Sequence, residues 1–203
     1  MYNLVNQFAK EIVSTIQPNH VTDYEWLLQN VGEVNASSYR TKYRNYWAMN
    51  AARLSPSFYC AYFNALHTAP TQRPTLSNVV QLLYNASTTR IGKKSLQFSF
   101  ATILLHMRNP RLPLYSSEVT AFFFFQLPTG EGKQRITKFL AFHDFLIREY
   151  ARVLKNGLLA GAIQEFRLGL RPRHYTDEKV VDSLLWAFVA HKRTLLKKQI
   201  VYG

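Results

Sequence analysis

The chain has a single cysteine, which limits the kinds of site it can contain. Cys60 cannot form an internal disulfide or belong to a multi-cysteine zinc site. It lies in the aromatic run 58–63, where we expect a buried small apolar side chain rather than a nucleophile. Because a reducing compartment suits a chain without disulfides, we expect a cytoplasmic protein.

Long hydrophobic runs are also missing. The longest apolar piece, 119–125, is much shorter than the roughly 18 residues of a membrane span. Lys10 and Glu11 stand where a signal peptide would be apolar, so we expect neither membrane insertion nor export. The six histidines lack metal-site spacing and no glycine-rich nucleotide motif occurs, so we expect no metal and no cofactor.

Acidic residues are scarce relative to basic ones. The 12 Asp and Glu residues face 25 Lys and Arg residues, which gives a net charge of +13. Such an imbalance costs self-repulsion and points to a polyanionic partner. We expect that partner to be nucleic acid, and double-stranded DNA in particular. An anionic membrane and a basic surface that serves only solubility are the alternatives.

Strand signals are rare, whereas apolar residues recur at spacings of three and four. The pattern predicts helices at 2–16, 22–31, 37–50, 56–67, 75–85, 93–107, 117–125, 133–155, 158–168 and 176–198. We therefore expect an all-α, compact, two-lobed single domain over 1–203, and a monomer. One lobe would combine about 1–74 with 133–203, and the other would span 75–132.

A basic turn lies between the fifth and sixth predicted helices. A helix start beside such a turn can offer backbone N–H groups to a phosphate, and the neighbouring cations strengthen that contact. The predicted DNA-binding residues are Arg90, Gly92, Lys93, Lys94 and Ser95. A plain helix connection is the alternative.

The segments 99–107 and 112–119 follow this turn. The order of helix, glycine-bearing hairpin, apolar helix and Pro-apolar-X before a new helix resembles the helix-hairpin-helix DNA glycosylases over 75–125. The 8-oxoguanine glycosylase branch is the most similar in pattern. The resemblance implies a helix-hairpin-helix element, and a protein that flips a base out of DNA and cuts its N-glycosidic bond.

The sequence departs from this family at both catalytic positions. Counting back from Val119 puts Ser116 where the family has its catalytic Asp, and a serine cannot supply the charge. The positions where relatives have a nucleophilic lysine hold Gln97 and Ile103. Lys94 is a nearby substitute, although phosphate binding is the simpler role for it. The resemblance then implies a monofunctional glycosylase that uses water.

Two carboxylates are candidates for the missing acid. Glu118 would lie in the first turn of a helix capped by Ser116, where it could also simply stabilise the helix dipole. Asp182 is flanked by Val and Leu residues, so it is either exposed on a helix edge, buried with a basic partner, or part of a site. The candidate catalytic residues are therefore Ser116, Glu118, Asp182 and Lys94.

The segment 39–47 interleaves aromatic and basic residues. Its aromatic stripe forms either a core face or the wall of a pocket that stacks an extruded base. We take Tyr43, Trp47, His106 and Tyr115 as candidate pocket residues, with a structural helix-end histidine as the alternative for His106. A second basic concentration, for phosphate or solvent, comprises Arg167, Arg171, Arg173, Lys192, Arg193, Lys197 and Lys198.

Three functions stay open from the sequence. The first is a DNA glycosylase acting on a damaged base or on a modified base in phage DNA, in repair or antiviral defence. The second is a catalytically inactive helix-hairpin-helix DNA-binding module, which Ser116 favours. The third is a basic interaction protein with a protein or RNA partner.

Overall fold

The computed structural model describes residues 1–86, 94–129 and 133–202, with side chains for 1–86, 94–129 and 134–194. Within these ranges the chain forms helices and turns and no β-strand, which confirms the all-α prediction. The α-helices are α1 (Tyr2–Gln7), α2 (Ala9–Ser14), α3 (Pro18–Gln29), α4 (Ser37–Tyr46), α5 (Pro56–Gln72), α6 (Leu76–Ala86), α7 (Phe98–His106), α8 (Ser117–Phe122), α9 (Lys133–Lys155), α10 (Ala160–Leu170) and α11 (Asp177–Tyr202).

The chain divides into two compact units. The first unit comprises Met1–Val21 and Pro113–Gly203, and the second comprises Thr22–Leu112. The division points at 21 and 112 do not coincide with the boundaries predicted near 74 and 132. The helix-hairpin-helix element remains a prediction, since part of its turn lies outside the described residues.

The first unit is organised around α11. In it, α11 packs against α2, α8, α9 and α10. Val180, Val181, Leu184 and Leu185 are fully buried, so they form one wide apolar face in the middle of α11. The apolar stripe predicted for 133–155 is confirmed, since α9 has those bounds and buries residues at spacings of three and four.

The second unit contains most of α3 together with α4, α5, α6 and α7. Ser55 caps the start of α5, because its side-chain oxygen accepts a 3.2 Å hydrogen bond from the Phe58 N–H, and Pro56 is the first helical residue. It buries Phe58, Tyr62 and Leu66 on one face. Aromatic rings of α4 and α5 fill much of this core, as the edge contact between Tyr43 and Phe63 at 5.6 Å illustrates.

Helix α5 runs five residues beyond its predicted end, because Pro70 lies inside it rather than between helices. Proline has no N–H, so the carbonyl of Leu66, four residues earlier, loses its helical partner. The Arg108 guanidinium replaces that partner, with Nε 2.9 Å from the Leu66 oxygen. A tertiary contact therefore allows the helix to continue past the proline.

Other local predictions were also wrong. The helix predicted over 2–16 is divided at Phe8, whose φ of −101° and ψ of 22° leave helical geometry. Cys60 is exposed rather than buried. Two residues of α-helix turn the side chain by roughly 200°, so Cys60 points away from the face that Phe58 and Tyr62 bury.

None of the helices in the described ranges combines the length and the apolar character needed to cross a bilayer.

Candidate functional site

The connection that leads into α8 is held by two buried polar side chains of the first unit. His143 Nε2 donates to the Pro113 carbonyl at 3.1 Å, and the Leu114 N–H donates to Asp182 Oδ1 at 3.3 Å. Because a carbonyl can only accept, the Nε2 of His143 carries the hydrogen. Burial lowers the pKa of His143, which favours the neutral ring. The backbone before α8 is therefore fixed on both sides of the Pro113–Leu114 bond.

Asp182 lies in a buried cluster on α11. It is 5% exposed, accepts from the Tyr150 hydroxyl at 3.1 Å, and lies 3.6 Å from Lys179 Nζ. Lys179 is 4% exposed and one helical turn away. Burial raises the pKa of Asp182 and lowers that of Lys179, while their mutual attraction opposes both shifts. Of the alternatives from the sequence, the structure has the buried carboxylate with a basic partner.

Ser116 caps α8. Its backbone is extended (φ −141°, ψ 166°), and its hydroxyl oxygen accepts from the Val119 N–H at 3.1 Å. This is the N-cap arrangement in which a side-chain oxygen satisfies an otherwise unpaired helical N–H. Ser116, which the resemblance aligns with a catalytic Asp, is thus placed at a helix start and in hydrogen-bond contact with the backbone.

Glu118 lies in the first turn of α8 and is paired across the first unit. Arg193 Nη1 is 2.7 Å from Glu118 Oε1, and the Ser117 hydroxyl donates to Glu118 Oε2 at 2.9 Å. The side chains of Glu118 and Arg193 are 17% and 50% exposed. Glu118 is therefore a carboxylate near solvent on the same short helix that Ser116 caps. Sequence reasoning missed the pairing because the two residues are 75 positions apart.

Two of the predicted pocket residues are core residues of the second unit. Tyr43 is fully buried, with its hydroxyl 2.8 Å from that of Tyr62. His106 is 1% exposed; its Nδ1 donates to the Leu112 carbonyl at 2.6 Å and its Nε2 accepts from the Tyr24 hydroxyl at 2.8 Å. Both are held by hydrogen bonds within the unit, as the structural alternative for His106 expected.

The other two pocket residues are partly buried. Trp47 follows α4 and meets the Tyr46 ring edge to face at 4.7 Å. Tyr115 belongs to the first unit, where its ring makes edge contacts with Phe139 and Phe142 at 5.4 and 6.2 Å. Burial raises the pKa of Tyr115. Of the four predicted residues, Tyr43, Trp47 and His106 thus lie in the second unit and Tyr115 in the first.

The predicted phosphate-binding turn is only partly within the described residues. Arg90, Gly92 and Lys93 lie outside them. Lys94 is exposed, with its Nζ 5.7 Å from the centre of the Tyr84 ring, and the Ser95 hydroxyl accepts from Gln97 Nε2 at 2.6 Å. Lys94 belongs to the second unit, whereas the candidate residues Ser116, Glu118 and Asp182 belong to the first.

Within the described residues, no three His, Cys, Asp or Glu side chains are grouped so that they could hold a metal ion. The site that the structure assembles is the anchored segment before α8, with Ser116 and Glu118 at the helix start and Asp182 beneath the backbone. No protein-family model matches the chain, and neither a curated protein nor a solved structure is significantly similar to it.

Proposed function

We propose that the protein binds double-stranded DNA and removes a base from it by water-dependent cleavage of the N-glycosidic bond. The observation that carries the binding proposal is the net charge of +13. In the described part of the chain, ion pairs with carboxylates are formed by Lys42, Arg152, Arg167, Lys179 and Arg193. The remaining excess of positive charge suits a polyphosphate.

The exposed surface of the first unit supplies cations for backbone phosphates. Arg148, Arg171 and Lys192 are exposed there, and none forms an ion pair with any carboxylate among the described residues. Contacts of this type give affinity without reading base sequence, so binding should depend strongly on salt.

Glu118 supports the excision proposal, as the near-surface carboxylate at the start of α8. A carboxylate stabilises the positive charge that develops on the sugar as the base departs. In the proposed step, the bond from sugar C1′ to the base nitrogen breaks, and the base leaves with the bonding electron pair. The oxygen of water bonds to C1′, Glu118 accepts a proton from the water, and the departing base takes up a proton from solvent. Arg193 orients the carboxylate, and Asp182 holds the preceding backbone as a positioning residue.

The experiment is an alkali-cleavage assay on a panel of duplexes. The panel includes oxidised and alkylated bases and phage DNA with bulky modified cytosines. Hot alkali breaks the strand wherever a base has been removed. Breaks at one base type, lost in Glu118→Gln and kept in the matched control Glu33→Gln, would support the proposal. Glu33 is an exposed residue of the second unit, so its substitution removes the same charge elsewhere.

A second candidate is DNA binding without excision. Ser116 favours it, because an uncharged helix cap occupies the position where the resembled family has its acid. The burial of Asp182 favours it too, since a carboxylate 5% exposed is shielded from substrate. Salt-sensitive duplex binding with no alkali-labile site on any substrate would establish this candidate and contradict the excision proposal.

A further inference from the structure

The second unit has a groove that has no part in the proposed duplex binding or base excision. Its volume is about 640 Å³, within the range of small-ligand pockets. Arg40 and Arg44 of α4 line it together with Tyr59, Cys60 and Phe63 of α5. We propose that this groove binds a nucleotide, with the phosphate on the two arginines and the base against the aromatic and apolar wall.

Arg40 is held in place by neutral groups. Its Nε donates to the Val34 carbonyl at 2.8 Å, and its Nη2 donates to Asn35 Oδ1 at 2.9 Å. The guanidinium carbon lies 5.0 Å from the centre of the Phe63 ring. None of these partners carries a negative charge, so they orient the guanidinium without neutralising it.

Arg44 is held in the same manner one helical turn later. Its Nε and Nη2 donate to Asn50 Oδ1 at 3.0 and 2.6 Å, and its guanidinium carbon lies 4.3 Å from the Tyr59 ring centre. Asn50 is itself fixed by a 2.7 Å hydrogen bond to Asn45 Oδ1. The guanidinium is thus oriented before any ligand arrives, which reduces the entropy cost of binding.

The charge of this arginine pair is uncompensated. Neither Arg40 nor Arg44 forms an ion pair with a carboxylate in the part of the chain that the structure describes. Side chains four residues apart share one face of an α-helix, so both cations face the same side. Two guanidinium groups match the several oxygens and the double charge of a phosphate monoester.

The apolar lining of the groove suits the base of the nucleotide. The apolar surface open to a ligand comes from half-buried Tyr59 and exposed Pro56, whereas Phe63 and Leu54 line the groove but are only 2% and 1% exposed. A planar base offers the large apolar faces that such a wall accommodates. A phosphate joined to an aromatic ring system, as in a nucleotide, therefore fits both halves of the groove. The nucleotide is either free or a unit of single-stranded DNA, and the test separates these sources.

Cys60 provides the test, because it is the only cysteine of the chain and is exposed in the groove. The rate of its alkylation by iodoacetamide is measured on the full chain with deoxyadenosine monophosphate, deoxyadenosine or single-stranded oligothymidylate. We expect the monophosphate to slow alkylation about tenfold at ten times its half-protecting concentration, as simple saturation requires. Protection by the oligonucleotide alone identifies the strand as the source. Equal protection by deoxyadenosine, or no protection by any probe, overturns the proposal.

Variants assign the phosphate contact. Arg40→Gln with Arg44→Gln should raise the half-protecting concentration at least about tenfold, because charge-assisted contacts are lost. Arg111→Gln, an exposed arginine of the same unit outside the groove, should leave it unchanged. Arg44→Lys keeps a positive charge but loses the planar guanidinium with its several donors, so it should raise the half-protecting concentration by a smaller factor, and it serves if the double variant melts early. An unchanged half-protecting concentration in Arg44→Lys, or in a folded double variant, contradicts the assignment.

This proposal does not rest on base excision. Its readout is alkylation of Cys60 in the second unit, whereas the excision assay reports strand breaks that depend on Glu118 in the first. The failure of either proposal is therefore seen without reference to the other.

Discussion

The backbone N–H of Leu114 donates a 3.3 Å hydrogen bond to the Asp182 carboxylate, across 68 positions of sequence. The same carboxylate oxygen accepts from Tyr150, and the other one lies 3.6 Å from Lys179 Nζ. A buried acid and a buried base are thus used to fix the path of the backbone just before the helix that carries Glu118. This places Asp182 in a positioning role for the proposed site.

Asp182→Asn should strongly destabilise the first unit. The change leaves the Lys179 ammonium buried without its counter-charge, which typically costs about 3–5 kcal/mol. Urea unfolding measures the loss. Asp144→Asn is the control, since Asp144 is an exposed acid on α9, and its effect should stay within about 0.5 kcal/mol. A loss for Asp182→Asn as small as that of the control would refute the buried-pair account.

His143 should make stability sensitive to mild acid. Its pKa is lowered in the folded protein because burial disfavours the charged ring. The folded state therefore binds its proton less readily than the unfolded state does. The stability that neutral His143 adds to the folded protein is fully present above the pKa of the ring in the unfolded chain, about 6.5. It is lost as the pH falls through the lower pKa of the ring in the folded protein.

The measurement is the unfolding free energy from about pH 7.5 to pH 5 in the natural protein and in His143→Gln. Glutamine can still donate to the Pro113 carbonyl but does not titrate. We expect the stability advantage of the natural protein over the variant to shrink as the pH falls. An advantage that stays constant or grows would show that His143 does not titrate in this way.

Two substitutions of Ser116 should distinguish a structural role of this residue from a catalytic one. Ser116→Ala removes the cap on the Val119 N–H and should cost about 1 kcal/mol of stability. Ser116→Asp keeps a capping oxygen and adds a carboxylate where the resembled family has one. If excision is the function, we expect Ser116→Asp to keep its stability and to raise the rate of base removal. A variant that folds, binds DNA and shows no increase would count against excision at this site.

Arg108 and Pro70 should be energetically coupled. Arg108 donates to the Leu66 carbonyl, which Pro70 cannot serve. Arg108→Met should therefore cost about 1–3 kcal/mol, because a partly buried acceptor loses its donor. Pro70→Ala restores a backbone N–H four residues after Leu66, so the loss should be smaller in the double variant. Strictly additive effects in the double-mutant cycle would contradict this coupling.

The parts of the fold that sequence predicted are those set by local periodicity. Helix α9 was predicted with its observed bounds because a single apolar stripe continues over its whole length. Helix α5 was predicted too short because the rule that proline ends a helix ignores a donor from elsewhere, here Arg108. The same limit applies to Cys60, whose surrounding aromatic residues belong to a different helix face.

In the candidate site, too, the features set by local sequence were predicted and the contacts between distant segments were not. The cap of Ser116 and the first-turn position of Glu118 follow from local sequence, and the structure has both. Burial with a basic partner was one of the alternatives that the sequence left open for Asp182, and the structure identifies that partner as Lys179. The partners Arg193 and Leu114 come from distant segments, and no local pattern identifies them.

Duplex binding as a function of salt tests the account most directly, since every proposed role on DNA requires the cationic excess to meet phosphates. We predict that the association constant for a duplex without any damaged base falls at least about tenfold between roughly 50 and 200 mM salt. Undetectable binding at the lowest salt, or an affinity that salt leaves unchanged, would contradict the central claim.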